Sequence, residues 1–377
     1  MYTRMIKPPK AKSFFLFGAR GTGKTTWVRS QFPQAIYVDL LNSETYNRLL
    51  ANPTRIADFI PEHFADWIII DEIQRIPPLL NEVHRLIETN KYKFIMTGSS
   101  ARKLRREGQN LLGGRALTYY MHPLTAVELG DDFKLEDALK FGSLPPIFSE
   151  EDKEKYLTSY VQTYLQQEVI QEGISRNLGA FARFLETASF SQGSVLNVSE
   201  VSREASVNRK VVEDYFTALE DLLLSIRLPA FSKRAKRRLI THSKFYFFDV
   251  GVYNTVRPMG PLDQPEMAEG VALESLFIQN IRAINDYLER GYSLSYFRTA
   301  SGVEVDCIAY GKNGLYAFEI KRKRNISSTD LSNLKSFKLD YPIAKCYALY
   351  GGNTREYIDG IEVIPFQEAL FSLPHLL

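Results

Sequence analysis

The chain is 377 residues long, 45% hydrophobic and 24% charged, with a formal net charge of only +3. That is the balance of an ordinary globular protein of two or three domains; it excludes overall basicity as the ground for a nucleic-acid reading, which must rest on where charge is concentrated. Two cysteines, Cys307 and Cys346, are too few for a disulfide framework and sit in no metal-ligand spacing. A reducing, cytoplasmic setting is expected. The opening MYTRMIKPPKAKSFF lacks the apolar core of a leader, and no apolar run nears the roughly 18 residues of a bilayer span. No membrane partner is expected.

In chain order, FFLFGARGTGKTTWVRSQF reads as strand, glycine loop and helix, and AIYVDL and WIIIDEI as buried strands. PPLLNEVHRLIETN puts Leu80, Val83, Leu86 and Ile87 on one helical face. FIMTGS is a further strand, SARKLRREGQNLL a basic helix and RALTYYMHPL another strand. Strands alternating with helices predict an α/β fold with a parallel sheet covered on both faces.

GARGTGKT, Gly18 to Thr25, fits G-x-x-x-x-G-K-[ST] between a strand and a helix. Glycines let backbone N–H groups turn inward around phosphate oxygens, and the helix N-terminus adds its positive dipole end. The expected nucleotide-binding set is Gly18, Ala19, Arg20, Gly21, Thr22, Gly23, Lys24, Thr25, Thr26 and Asp71, with Mg²⁺ and a nucleoside triphosphate, ATP by the resemblance named below, as cofactors. Lys24 would bridge the terminal phosphates, and Thr25 and Asp71 would hold the metal. Glu72 can polarise an attacking water. Ser99 stands where a side chain could sense the terminal phosphate or cap a helix. Arg115 could reach a neighbouring subunit's nucleotide or form a surface ion pair. These motifs resemble the AAA-type ATPases: GARGTGKT, IIIDE, TGSS, and GGR before a strand. The resemblance implies a P-loop core over residues 1–130, a helical lid over 131–190 and a homo-oligomeric ring.

The strands stop after Gly130, and LEDALKFG, EEDKEKYLTSYVQTYLQQEVIQ and AFARFLETASF read as helices. NVSEVSREASVNRKVVEDYFTALEDLLLSI looks like a winged helix-turn-helix, assigned to residues 191–258. Ser206 is the expected N-cap of its second helix. Val211, Tyr215 (or Phe216), Leu219 and Leu222 are the expected buried stripe. The wing FSKRAKRRL carries Lys233, Arg234, Lys236, Arg237 and Arg238, and residues 227–244 contain no acid. That density suits phosphate contacts, so DNA is the expected partner there. Glu213 and Asp214 temper this, and a packing module is the alternative.

VEVDCIAYGKNGLYAFEIKRK, Val303 to Lys323, reads as a hairpin. If Lys312-Asn313 is the turn, Asp306 falls opposite Glu319; if Asn313-Gly314 is the turn, Asp306 faces Lys321. Either way the period-two alternation puts Asp306, Glu319 and Lys321 on one face, and the apolar neighbours Val303, Val305, Ile308, Phe318 and Ile320 indicate a hairpin well buried on its other face. Adjacent carboxylates repel, and a divalent cation would resolve the repulsion. Lys321 could help deprotonate a metal-bound water. Asp306 followed by Glu319-Ile320-Lys321 resembles the PD-(D/E)XK nuclease superfamily. The resemblance implies a restriction-endonuclease-like α/β domain over residues 259–377, Glu274 as an additional helical carboxylate, Asp306 and Glu319 as metal ligands, and DNA as substrate. Together the parts resemble a prokaryotic group of AAA ATPases with a C-terminal domain of unknown function. The expected activity is an ATPase controlling a Mg²⁺-dependent nuclease; a non-cleaving, ATP-dependent switch is the alternative.

Overall fold

Apolar runs that show no alternation should lie between two layers of helices, and the computed structural model places them so. It describes residues 2–106, 112–165, 170, 173–174, 177–233, 239–240, 242–258, 260 and 264–377. Strands β1 (Ser13–Phe17), β2 (Ile36–Asp39), β3 (Trp67–Asp71), β4 (Lys93–Gly98) and β5 (Ala116–Tyr120) form one sheet in the order β2-β3-β4-β1-β5. Every pairing is parallel. Phe15, Phe17, Ile68, Ile70, Phe94 and Met96 form a core with Leu80, Val83 and Leu86 of the helix Leu79–Asn90; Ile87 is partly buried against it. This unit comprises Ile6–His122 with Asp221–Leu223.

The rest of the chain forms a second unit. Its main sheet has six strands: β8 (Ser293–Arg298), β9 (Glu304–Gly311), β10 (Gly314–Lys321), β11 (Lys345–Tyr350), β12 (Glu356–Ile358) and β13 (Ile361–Pro365), ordered β12-β13-β11-β10-β9-β8. The helix Pro265–Tyr287 lays Leu276, Phe277, Ile281 and Ile284 into one cluster with Cys307, Phe318 and Leu349. Helix Ser332–Asp340 places Leu334 and Phe337 in another cluster with Val305, Ile308 and Ala317. Phe133 and Ala138, from the stretch expected to be a lid, share the first of these clusters. The α/β fold class is therefore seen in both units.

In the middle stretch, helices Val198–Ala205 and Arg209–Asp221 precede an antiparallel pair, β6 (Ser225–Leu228) and β7 (Lys244–Phe247). Ser206 does not cap the second helix. It closes the first, at φ 53, and Asn208 accepts from the Lys210 N–H instead. The buried stripe runs through Val212, Tyr215, Phe216, Leu219 and Leu222, whereas Val211 is exposed; the apolar face is one residue out of phase with the expected one at its start. The arms of the expected wing line the edge of β8. Phe231 N–H donates to the Tyr296 carbonyl (2.7 Å), Tyr296 N–H to Pro229 (2.9 Å) and Ile240 N–H to Arg298 (3.1 Å). Pairing of this kind covers a strand edge that would otherwise be open. Arg234, Lys236, Arg237 and Arg238, which carry most of the wing's charge, lie outside the described residues.

Candidate nucleotide site and a buried charged centre

The chain turns sharply after β1. Gly21 (φ 82) and Gly23 (φ 90) hold left-handed backbone that costs glycine little. At Gly18 a Cβ would stand 2.4 Å from the Met121 carbonyl oxygen, so no larger residue fits. Gly23 caps the helix Lys24–Gln31 without a side-chain contact, leaving the first-turn N–H groups to an incoming anion. The Lys24 ammonium donates to the carbonyls of Gly18 (2.7 Å) and Ala19 (3.2 Å), and the Thr22 hydroxyl to Ala19 (2.8 Å). Arg20 and Thr26 are exposed on the rim of this loop.

Asp71 ends β3 almost fully buried. Thr25 donates to its Oδ2 (3.0 Å), and Tyr37 and Thr97 make short hydrogen bonds to Oδ2 and Oδ1. Burial, and then the hydrogen bond to Asp71, push the Tyr37 phenol well above its ordinary pKa. Because β4 lies between β3 and β1, the end of β4 brings Thr97 and Ser99 between Asp71 and the phosphate loop. Glu72 follows at φ 62, an uncommon left-handed setting for a glutamate. The Gln74 amide donates to Glu72 Oε2 (2.5 Å) and to Ser99 Oγ (3.2 Å). Gly98 makes room for it: a Cβ there would lie 2.3 Å from Gln74 Oε1. Ser99 is buried, and the cap-like contact to the Arg102 N–H comes from Ser100. Arg115 pairs with Glu88, both side chains being exposed.

Tyr37, Thr97 and Gln74 were not singled out in the sequence. The available signal was chemical: each is a polar side chain in or beside a buried apolar strand, a position that demands a hydrogen-bond partner.

The second unit gathers charge around β9 and β10. Gly311 pairs with Gly314 and Cys307 with Phe318, so the turn is Lys312-Asn313 and Asp306 comes next, opposite Glu319. On its other edge β9 shifts register between Ser295 and Phe297 of β8, a bulge at Asp306-Cys307. The bulge breaks the expected alternation. Val305 and Ile308 join one cluster while Cys307, Phe318 and the partly buried Ile320 join the other; the apolar residues do not share a single face.

Around the bulge, Asp306 Oδ2 accepts from the Ile320 N–H (2.8 Å). Glu319 Oε1 takes the Lys321 ammonium (2.6 Å) and the Asn333 amide (3.2 Å), while Oε2 is buried with no partner. Lys244, from β7, inserts its ammonium 2.9 Å from Glu274 Oε1, 2.7 Å from Glu304 Oε1 and 4.0 Å from Asp306 Oδ1. Its side chain is only 3% exposed. Burial alone would lower its pKa, but the charges of Glu274, Asp306 and Glu304 outweigh this and raise it. Burial, with repulsion from Asp306, moves Glu274 up to about 7. Burial raises Asp306 and Glu319 as well, against the pull of Lys244 and Lys321 respectively. The structure thus brings Glu274, Asp306, Glu319 and Lys321 together and adds Lys244 and Glu304, neither of which the motif contains.

This set does not fit a Mg²⁺ ion. Among the described residues no three His, Cys, Asp or Glu side chains are placed to hold a metal as they stand, with Lys244 between the carboxylates. The carboxylates that would supply one are drawn to an ammonium instead. The nucleotide site does fit: Thr25 and Asp71 present adjacent hard oxygens beside the phosphate loop.

Residues 10–130 match an AAA domain, residues 132–263 a domain of unknown function (DUF8612) and residues 269–369 another (DUF4143). An uncharacterized protein of Mycobacterium tuberculosis is 25% identical over 96% of this chain and 81% of its own length. An uncharacterized protein of Haemophilus influenzae is 25% identical, over 79% of this chain and 76% of its own. A crystal structure of a Vibrio cholerae protein shares 12% identity over 91% of this chain and 97% of that one, with a TM-score of 0.24. No helix among the described residues is long and apolar enough to cross a membrane. The match over residues 10–130 supports an AAA-type P-loop ATPase domain, a type that binds nucleotide and usually Mg²⁺.

Proposed function

We propose that this chain is an ATP-hydrolysing switch whose second unit binds DNA or protein without cutting it. The hydrogen bond from Thr25 to Asp71 carries the reading, because it joins the phosphate loop to the acidic end of β3. On binding, Lys24 exchanges the carbonyls of Gly18 and Ala19 for the terminal phosphates of ATP. Mg²⁺ held by Thr25 and Asp71 would neutralise charge on those phosphates. Tyr37 and Thr97 keep the Asp71 carboxylate aimed. Glu72 orients the attacking water once it leaves Gln74, and Ser99 reports the terminal phosphate to the same amide. Arg115 exchanges Glu88 for the nucleotide of a neighbouring copy in a homo-oligomer; an exposed pair is weak enough for that exchange. The exposed Lys233 and the basic residues after it supply phosphate contacts to DNA.

A second reading, metal-dependent cleavage of DNA, is favoured by one observation: Glu319 keeps an unpartnered buried oxygen beside Lys321. Phosphate release and supercoiled plasmid, assayed together with Mg²⁺ and with Mn²⁺, separate the two. The switch predicts hydrolysis abolished by Lys24→Ala, kept by Asp306→Ala, and plasmid intact throughout. Nicking by the parent that Lys321→Ala abolishes would replace it with the nuclease.

A further inference from the structure

The acidic centre of the second unit has a feature that its sequence motif does not contain: a lysine from a different sheet lies inside it. β7 precedes the helix that bears Glu274 and the hairpin that bears Glu304 and Asp306, and it pairs with β6, outside the six-stranded sheet. Its first residue, Lys244, crosses to that sheet and ends within 2.7–4.0 Å of three carboxylates. The Tyr296 ring lies 5.5 Å from the same ammonium, and the Tyr246 hydroxyl donates to the Glu274 oxygen that Lys244 contacts. A lysine side chain 3% exposed and surrounded in this way is placed there by the fold, not by a chance surface pairing.

We infer that Lys244 is the resident cation of this centre, a protein ammonium standing where a divalent metal would otherwise be held by Glu274, Glu304 and Asp306. The inference rests on the non-cleaving reading of the second unit and deepens it. Carboxylates packed this closely, with Glu274 and Asp306 largely buried, repel one another unless a cation lies between them. An ammonium supplies the charge and three hydrogen-bond donors but has no empty orbital to accept a water oxygen. The centre therefore keeps a cation among its carboxylates, at half the charge of a divalent metal, and loses the Lewis acid. It also fastens: the cation and its anions come from the β6-β7 pair on one side and the large sheet and its helix on the other, so the charge balance holds these elements together.

The ligand class that follows is a hard divalent cation, admitted only when the ammonium is removed. Glu274 Oε1 and Glu304 Oε1 each lie within 3 Å of one point, the Nζ position, and both must move in from there to reach the ~2.1 Å that Mg²⁺ or Mn²⁺ takes. The test is Mn²⁺ binding to nucleotide-free, full-length protein, read by electron paramagnetic resonance, with thermal melting in parallel. The parent and Lys244→Arg are expected to bind no Mn²⁺ at 100 µM free metal, on the order of a weak carboxylate site. Lys244→Met is expected to bind one Mn²⁺, to melt below the parent without metal and to regain the difference with it. Adding Asp306→Asn to Lys244→Met should abolish that binding.

Mn²⁺ binding by the parent that Asp306→Asn removes would overturn the inference. So would a Lys244→Met protein that folds but takes up no metal, or one that stays unfolded in millimolar Mn²⁺. The last two outcomes leave the non-cleaving reading standing, since that reading is judged by the plasmid assay alone. Nicking by the parent would bring down that reading whatever the resonance signal shows.

Discussion

Lys24 is the residue on which nucleotide binding most depends, because its buried ammonium lies within the phosphate loop, on the carbonyls of Gly18 and Ala19. Lys24→Ala should weaken ATP binding at least about 100-fold, roughly 2.7 kcal/mol, as read by titration with a fluorescent ATP analogue. Gln74 holds Glu72 and Ser99 on one amide, so its loss should act on turnover more than on binding. Gln74→Ala is expected to lower kcat about tenfold with KM for ATP within about twofold; a change confined to KM would contradict the role. The two residues differ in how legible they were. The loop is contiguous, and its chemistry dictates residue types at fixed spacing, so GARGTGKT could be read outright. Gln74, Tyr37 and Thr97 act through contacts across neighbouring strands, and a single sequence holds no record of those distances. Lys244 was harder still: it closes the acid-free stretch 227–244, which was read only for contacts to phosphate.

At the scale of elements, the helices Leu135–Phe141 and Val250–Val256 meet at bare backbone. A Cβ on Gly251 would stand 2.1 Å from the Phe141 carbonyl oxygen. Gly251→Ala should therefore cost about 1–3 kcal/mol, the range for overpacking, visible as a lowered midpoint in urea. Asp249 caps the second of these helices, accepting from the N–H groups of Val252 (3.1 Å) and Ser143 (2.8 Å). Burial raises its carboxyl from 3.8 to about 6 despite those donors. Between these values the folded protein holds a proton that the unfolded chain has lost. Asp249's contribution is then full at low pH and declines as pH rises towards about 6, by at most about 1.4 kcal/mol per pH unit. Asp249→Asn should flatten the difference in stability between pH 4 and 6; an unchanged slope would assign the proton elsewhere. Strand and helix types were legible here because periodicity reports them. The bulge at Asp306 was not: one extra residue separates Val305 from the cluster that Phe318 and Ile320 join, and nothing in VEVDCIAY marks it. The one-residue error at Val211 has a similar origin, since a helix's phase is fixed by what packs against it.

On the scale of the whole molecule, residues 10–130 match an AAA domain and the remainder matches domains of unknown function, so the chemistry is best defined in the first unit. The alternation of strand and helix made that unit's sheet legible, as did the change to helices after Gly130. What the sequence did not reveal is that residues 229–231 and 239–240 line the edge of β8, or that Phe133 and Ala138 share a core with Phe277 and Leu370; both depend on partners more than fifty residues away. If Arg115 serves a neighbouring copy, mixing Arg115→Ala with Glu72→Gln should restore part of the hydrolysis that each lacks alone. Light scattering should show that ATP favours the assembled form. The most direct measurement remains steady-state phosphate release from ATP by the parent, Lys24→Ala and Glu72→Gln. The account predicts turnover by the parent, neither binding nor turnover by Lys24→Ala, and binding without turnover by Glu72→Gln. A parent that binds no ATP, or a Lys24→Ala protein that hydrolyses it as fast as the parent, would contradict it.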